Sequence, residues 1–225
     1  VEIRSSGSDR YTLDCLQVTL DGEPLHCADG MDLDIGDDGQ TLWFSWPSIG
    51  CTTCSASPLT HGPMLGSMEP GLGRIWVRSD ATRQVLLRTG PDPSQLLPAH
   101  YAYPAAVNDM TQVLEVAGLG PSEVVHYAID VDGVTEATGS FVSAPEHGPG
   151  ISSFAFGSCS KWDEQPIFDA IAAQDPDVFL MLGDSHYGNT NDLSDLRQFY
   201  RFTREIGPRA ALIGSTATIA AWDDH

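Results

Sequence analysis

Hydrophobic positions in the middle of the chain recur in short, evenly spaced runs. Between residues 58 and 145, each run of apolar or alternating apolar and polar side chains is bounded by Gly, Pro or Asp. This pattern predicts β-strands, which we expect at residues 74–78, 84–88, 112–116, 124–131 and 139–142. Short strands at such spacing are typical of a small β-sandwich.

The pattern changes after a Gly- and Pro-containing stretch at residues 144–150. Residues 151–156 form an apolar run, residues 166–173 carry apolar side chains at helical spacing, and residues 178–182 form a second apolar run. Wholly apolar strands are typical of parallel strands buried on both faces, so this order predicts a β-α-β unit. We therefore predict an all-β sandwich followed by an α/β domain, with a further strand at residues 217–222.

A second helix is predicted between these strands, with Asn191 or Asp192 as its N-cap and Gly207-Pro208 at its end. Three arginines lie at helical spacing along it, at Arg197, Arg201 and Arg204. One interpretation is that one of them faces a phosphate. A solvated helix face is the commoner arrangement, and it is the one we favour.

Side chains that can bind metals directly follow the predicted strands. Cys159 follows the first strand, Asp184 and Tyr187 follow the second, and Asp224 and His225 follow the third. Because ligands gather beyond the carboxyl ends of parallel strands, we expect these side chains to converge at one edge. Taken singly, a Cys after a strand is often a small packed side chain, and an Asp there often caps a helix. Their order and spacing together favour a metal site.

The motifs that carry these residues are G-S-C after the first strand, G-D-x-x-Y after the second, and W-D-D-H at residues 222–225. Through these motifs, the chain resembles the alkaline phosphatase D (PhoD-like) family of calcineurin-type metallophosphoesterases. The resemblance covers residues from about His61 to His225. Related metallophosphatases carry D-x-H, G-D-x-x-D and G-N-H-[DE], and Cys and Tyr in the first two blocks are particular to the PhoD-like branch. In the third block, Asp224-His225 stands in place of Asn-His.

The resemblance implies a four-layer α-β-β-α catalytic domain preceded by a fibronectin III-like sandwich with Leu119 and Tyr127 as buried anchors. The domains are then expected at residues 1–57 (cysteine-containing β segment), 58–145 (sandwich) and 151–225 (first half of the catalytic domain). A second β-α-β half is expected on another polypeptide or in a further segment. His61, in an H-G-x-x-x-G stretch, is interpreted as part of a structural turn.

The implied activity is hydrolysis of a phosphate ester, by an alkaline phosphatase or a phosphodiesterase. The implied metal ligands are Cys159, Asp184, Tyr187 and Asp224, with His225 as the catalytic residue that stabilises the transition state or protonates the leaving group. Thiolate and phenolate donors favour Fe³⁺, and the second position, which has only oxygen ligands, suits Ca²⁺. Zn²⁺, Mn²⁺ and Mg²⁺ are alternatives for that second metal.

Composition narrows the list of partners. The formal net charge is -20, and Lys161 is the only lysine among 11 basic residues. So acidic a surface argues against nucleic-acid backbones and anionic lipid as partners, and it favours a salt-adapted, secreted or periplasmic protein. No apolar run approaches the roughly 18 residues of a membrane span.

Four of the five cysteines lie in the first quarter of the chain, at Cys15, Cys27, Cys51 and Cys54. We interpret them as disulfides of an exported protein, and a structural zinc site is the alternative. A redox role for C-T-T-C is less favoured, because no β-α-β pattern surrounds it. A competing hypothesis for the whole chain is an exported, non-catalytic β-rich binding module.

Overall fold

The computed structural model describes five parts of the chain, at residues 13–20, 23–31, 57–146, 152–161 and 165–225. Val1–Ala56 and Ser57–His225 form two separate units. In the first unit, strand β1 (Leu13–Leu20) pairs antiparallel with β2 (Glu23–Met31). The side chains of the four early cysteines lie outside the described residues, so the disulfide and zinc alternatives stay predictions.

Seven antiparallel strands of the second unit form two sheets. The strands are β3 (Leu59–Leu65), β4 (Leu72–Ser79), β5 (Val85–Gly90), β6 (Leu97–Ala102), β7 (Thr111–Ala117), β8 (Val124–Val131) and β9 (Val134–Val142). One sheet has the order β3-β4-β7 and the other β6-β5-β8-β9. All five strands predicted for this region are present, with somewhat different ends.

The two sheets share one hydrophobic core. In β4, every second side chain is buried, and Ile75 and Val77 pack in the same cluster as Ile129 of the other sheet. Tyr127 is only 2% exposed, and burial raises its pKa to about 12. Leu119 packs against the same cluster. Both residues predicted as anchors therefore contact the core, while the fibronectin III-like assignment remains a prediction.

The last third of the chain forms a parallel sheet with helices. Its elements are β10 (Phe154–Gly157), α1 (Ile167–Ala172), β11 (Val178–Leu182), α2 (Leu193–Glu205), α3 (Gly207–Ser215) and β12 (Ala217–Ala221). The strands lie in the order β10-β11-β12 and are parallel throughout. Phe168 of α1 and Leu212 of α3 pack against Phe179 and Met181 of β11, so these helices cover one face of the sheet.

Helix α2 begins as predicted and is followed by a helix that was not predicted. Asp192 is the N-cap, because its side chain accepts hydrogen bonds from the amides of Ser194 and Asp195. Gly207-Pro208 ends α2 and also opens α3. Proline is favoured in the first turn of a helix, since its missing N–H would have no partner there.

Two interpretations from the sequence were wrong. His61 lies within strand β3 and not in a turn, although the register of β3 shifts between His61 and Met64. The arginines of α2 do not form a solvated face. Arg201 binds Asp109 at 2.6 Å, and the guanidinium of Arg204 stacks 5.0 Å from the ring of Trp76. Both contacts join α2 to the sandwich.

The face of the parallel sheet opposite the helices is exposed. Four of its apolar side chains are more than half exposed: Phe154, Phe156, Leu182 and Ile219. In the described residues, the parallel sheet therefore has helices on one face only, and the four-layer arrangement remains a proposal. Among the described helices, none is long and apolar enough to cross a membrane.

Candidate metal centre

The backbone pairing of the parallel sheet continues past the ends of β10 and β11. The Cys159 amide donates to the Gly183 carbonyl at 3.3 Å, and the Ser160 amide donates to the Asp184 carbonyl at 2.9 Å. These bonds bring the first two predicted ligands side by side. The Cys159 Sγ atom lies 3.8 Å from Asp184 Oδ2.

Both residues adopt a backbone conformation that is uncommon outside glycine. Cys159 has φ 60° and Asp184 has φ 47°. Residues held in the left-handed region cost of the order of 1 kcal/mol or more and cluster at functional sites. Gly183 has φ 118°, and a Cβ on it would lie 2.9 Å from the Cβ of Asp223. Glycine at this position lets the chain after β12 pass directly over the end of β11.

That passage brings the end of the chain to the same edge. Asp184, Asp224 and His225 each place a ligand atom within 4.8 Å of the other two. The His225 amide donates to Asp184 Oδ1 at 3.4 Å, and the His225 ring lies 4.5 Å from the ring of Tyr187. All five side chains predicted at the site are thus close together, on the exposed carboxyl edge of the sheet.

The pKa of Tyr187 reflects the charges and hydrogen bonds at this edge. Hydrogen bonding to Cys159, desolvation and the negative charge of Asp184 raise the pKa of Tyr187 to about 12. The phenol is hard to ionise because Cys159 and Asp184 lie close to it, and the Lys161 ammonium, 5.9 Å from the centre of its ring, does not offset them. A bound cation would reverse that preference and favour the phenolate. The donor set of one thiol, one phenol, two carboxylates and one imidazole therefore fits a metal centre.

Asn189 was not identified from the sequence, yet it contacts the predicted catalytic residue. Its side-chain oxygen accepts a hydrogen bond from Nδ1 of His225. With the amide oxygen as acceptor, Nδ1 carries the proton and Nε2 is the ring nitrogen left to exchange a proton. In the sequence, G-N-T-N reads only as a polar turn, so nothing marks Asn189 as a partner.

Arg209 was also missed, and it joins the two loops that carry the ligands. Its Nη1 donates to the Ser185 carbonyl at 2.9 Å and lies 3.3 Å from the Ser160 hydroxyl. Arg209 is 5% exposed, and burial lowers its pKa to about 10, so it stays charged at neutral pH. The available signal was a single arginine within the otherwise apolar stretch of α3.

His186 lies between two predicted ligands but belongs to the core. Its ring stacks on Phe199 at 5.8 Å and meets the edge of Tyr200 at 4.4 Å. Burial, and then the positive charges of Arg209 and Arg204, lower its pKa. Its Nδ1 accepts the Gly188 amide at 3.2 Å, so the imidazole is neutral and serves to hold the loop after Asp184.

Several solved structures are similar to this chain in fold, and two of them cover most of it. One is described as the structure of PhoD, with a TM-score of 0.67 and 18% identity over 78% of this chain and 40% of that one. The other is the purple acid phosphatase PPD1 from yellow lupin (Lupinus luteus) seeds, with a TM-score of 0.53 and 14% identity over 72% of this chain and 35% of that one.

The present chain therefore spans less than half the length of either structure. No protein-family model and no curated protein matches the sequence. The described part of this chain is therefore similar in fold to part of PhoD and to part of the purple acid phosphatase.

Proposed function

We propose that this chain carries the first half of the catalytic domain of a metal-dependent phosphoester hydrolase, an alkaline phosphatase or a phosphodiesterase. The observation that supports the proposal most directly is the convergence of Cys159, Asp184, Tyr187, Asp224 and His225 at one sheet edge. Chance would seldom bring these donor types together from three successive strand ends. A fold like that of two phosphatases is a further, coarser support.

The donors divide between two metal positions. Cys159 and Tyr187 supply polarisable anionic ligands that favour Fe³⁺, and Asp184 is central enough to bridge. Asp224 would then bind the second metal, for which Ca²⁺ is our first choice and Zn²⁺, Mn²⁺ or Mg²⁺ the alternatives. When bound, such a metal pair neutralises phosphoryl charge and supplies an activated water.

The chain's own residues would prepare this edge for an ester. Asn189 holds Nδ1 of His225, which leaves Nε2 to protonate the departing oxygen or to donate to the phosphoryl group. Arg209 keeps the Cys159 and Asp184 loops at a fixed separation through Ser160 and Ser185. Such supporting contacts maintain ligand geometry in metal sites generally.

The exposed apolar face of the parallel sheet supports the proposal that a further segment completes the domain. Phe154 and Phe156 are 64% and 63% exposed, and Leu182 and Ile219 extend the same face. A contiguous apolar face of this kind marks an interaction surface. We propose that the second β-α-β half packs there, from a further segment or from another polypeptide, in a secreted or periplasmic protein.

Metal analysis together with a phosphatase assay tests the function. The protein with its complete catalytic domain is expected to contain iron, to absorb visible light through thiolate and phenolate ligation, and to hydrolyse an aryl phosphate ester. Cys159→Ala and Tyr187→Phe should remove that absorption, whereas Tyr101→Phe on the sandwich surface should leave it unchanged. A colourless, iron-free but fully active enzyme would refute the ligand assignment. A metal-free, inactive protein that binds a glycan or a protein would favour the binding module.

A further inference from the structure

A second candidate site lies between helix α2 and the sandwich. It is a cavity of about 560 Å³ between α2 and strands β4 and β7 of the sandwich, and we call it the arginine cleft. Its basic and aromatic lining consists of Arg78, Arg197, Arg201, Arg204, Trp76 and Tyr200. Four of the chain's 11 basic residues therefore line one cavity of a protein whose formal net charge is -20.

Two of these arginines share one carboxylate within the protein. Arg78 and Arg201 both bind Asp109, the only carboxylate that lines the cleft among the described residues, at 3.4 and 2.6 Å. Although burial alone would raise it, the pKa of Asp109 lies below its ordinary value because both arginines bind the carboxylate. Asp109 therefore stays ionised, and its negative charge is paired with Arg78 and Arg201.

The other two arginines have no such partner. Arg197 donates to the Val107 carbonyl, and Arg204 donates to the Tyr200 carbonyl of its own helix. Neither forms an ion pair with a carboxylate in the described part of the chain. The Nε atom of Arg204 is buried and has no hydrogen-bond partner there. A buried cationic donor left without an acceptor, beside an arginine without a carboxylate partner, points to an anion that is absent from the structure.

The stacking of Arg204 fixes where such an anion would bind. Its guanidinium lies 5.0 Å from the ring of Trp76 and 5.2 Å from the ring of Tyr200. These contacts hold a fork of N–H donors in one orientation, which is the geometry that binds the oxygens of a tetrahedral anion. The cavity volume also lies within the range of about 300–1,000 Å³ seen for small-molecule sites.

We propose that the arginine cleft binds a small phosphorylated molecule, with its phosphate between Arg197 and Arg204 and its organic part near Trp76 and Val113. This site is separate from the metal centre and does not rest on the proposed hydrolytic function. A nucleic acid or an anionic membrane would be repelled by the rest of the surface. A small dianion enters the cleft and meets the local positive charge.

Calorimetric titration with phenylphosphonate tests the proposal, because this monoester analogue has a P–C bond that no phosphoesterase cleaves. We expect a saturable site in the wild-type chain that is retained in Asp184→Asn, which impairs the metal centre. Arg197→Gln and Arg204→Gln should each raise Kd roughly tenfold or more, the loss expected for a charge-assisted hydrogen bond. Inorganic phosphate should compete for the site, and added NaCl should weaken binding.

Two further variants separate a specific site from charge effects and from misfolding. Arg74→Gln removes an arginine of the same strand as Arg78 that is bound to Glu69 and Glu115 outside the cleft, and it should leave Kd unchanged. Val113→Glu places a carboxylate at the exposed rim and should weaken binding without touching a buried residue.

The proposal is overturned by absence of saturable binding. It is also overturned if binding is lost in Asp184→Asn but kept in both arginine variants, or if Arg74→Gln weakens binding as much as Arg197→Gln. Each variant is first compared with the wild type by circular dichroism and thermal unfolding. Since Arg197 is partly exposed and bonded only to a carbonyl, Arg197→Gln is expected to fold normally even if Arg204→Gln does not.

Discussion

Replacing Arg209 with Met should loosen the metal-binding edge while leaving the stability of the fold almost unchanged. The guanidinium is the one side chain described here that binds both ligand-bearing loops, through the Ser185 carbonyl and the Ser160 hydroxyl. Methionine is a long apolar side chain that can still pack near Phe168, whose ring lies 5.8 Å from the guanidinium carbon of Arg209, but it donates no hydrogen bond. The loops would then be joined mainly by the backbone bonds from Cys159 and Ser160.

The magnitude follows from two opposing contributions. Hydrogen bonds from a charged donor contribute about 1.5–3 kcal/mol each, and the one to Ser160 is long at 3.3 Å. Burial lowers the pKa of Arg209 from 12.5 to about 10, which disfavours the charged form by roughly 3 kcal/mol at about 1.4 kcal/mol for each tenfold change. The two contributions nearly cancel, so the free energy of unfolding should change by about 1 kcal/mol or less.

Amide hydrogen exchange measures the local effect separately from the global one. The Ser160 amide donates to the Asp184 carbonyl. In Arg209→Met it should exchange roughly tenfold faster or more, because opening the loop no longer costs the free energy of breaking the arginine's hydrogen bonds. Amides in the sandwich core should exchange at the wild-type rate. In Arg209→Lys, a single ammonium can hold one loop more easily than two, so the Ser160 amide should show an intermediate rate.

Arg204→Met is the matched control, since Arg204 is a neighbouring arginine with a buried Nε, and among the described residues its guanidinium donates a hydrogen bond only from Nη1 to the Tyr200 carbonyl. It should leave exchange at Ser160 unchanged. The reasoning fails if the Ser160 amide exchanges at the wild-type rate in Arg209→Met. It also fails if exchange rises by the same factor in every core strand, because that pattern indicates global destabilisation.

Three further predictions concern the metals, the pH dependence and the early cysteines. In the complete catalytic domain, Asp184→Asn should lose the second metal, and its turnover should fall by several orders of magnitude. His225→Ala should keep both metals, and its rate should fall by about 10²–10⁴. Measuring metal content and turnover on the same samples checks both predictions. The hydrogen bond to His61 lowers the pKa of Glu205 below its ordinary 4.5. The ionised carboxylate therefore stabilises the fold above pH 4.5. This stabilisation is lost as the pH falls through the lowered pKa. Urea unfolding of Glu205→Gln should therefore show a smaller loss of stability between about pH 6 and about pH 3 than the wild type. Mass spectrometry without reductant should find no free thiol in the first quarter of the chain, and stoichiometric zinc there would contradict this; the residues concerned are Cys15, Cys27, Cys51 and Cys54.

The sequence predicted the central strands of the sandwich and missed two at the edges. Strands β4 and β8 are internal to their sheets, so alternating or continuous apolar residues mark them clearly. Strands β3 and β6 lie at sheet edges, where an unpaired side tolerates residues that would disrupt a central strand. Gly62 and Pro63 interrupt β3, and Pro98 lies in β6, so both segments resemble loops.

In the metal centre, too, some residues could be predicted from local sequence, whereas others depend on tertiary contacts. Cys159 and Asp184 could be predicted because each follows an apolar run and because parallel strands end at one edge. Asn189 and Arg209 could not, because their roles depend on which loop meets which helix after folding. A buried arginine with no carboxylate partner has no sequence pattern of its own.

Helices α2 and α3 connect the sandwich to the proposed metal centre through named contacts. His61 of β3 binds Glu205 at 2.7 Å and Asp109 binds Arg201, so the C-terminal half of α2 is fixed to the sandwich. Arg209, only four residues beyond Glu205, then holds the two loops that carry Cys159 and Asp184. The positions of the ligands therefore depend on where the sandwich places α2. For this reason we regard the sandwich as part of the scaffold of the catalytic edge, and we expect perturbations at His61 or Asp109 to reach the metal ligands through α3.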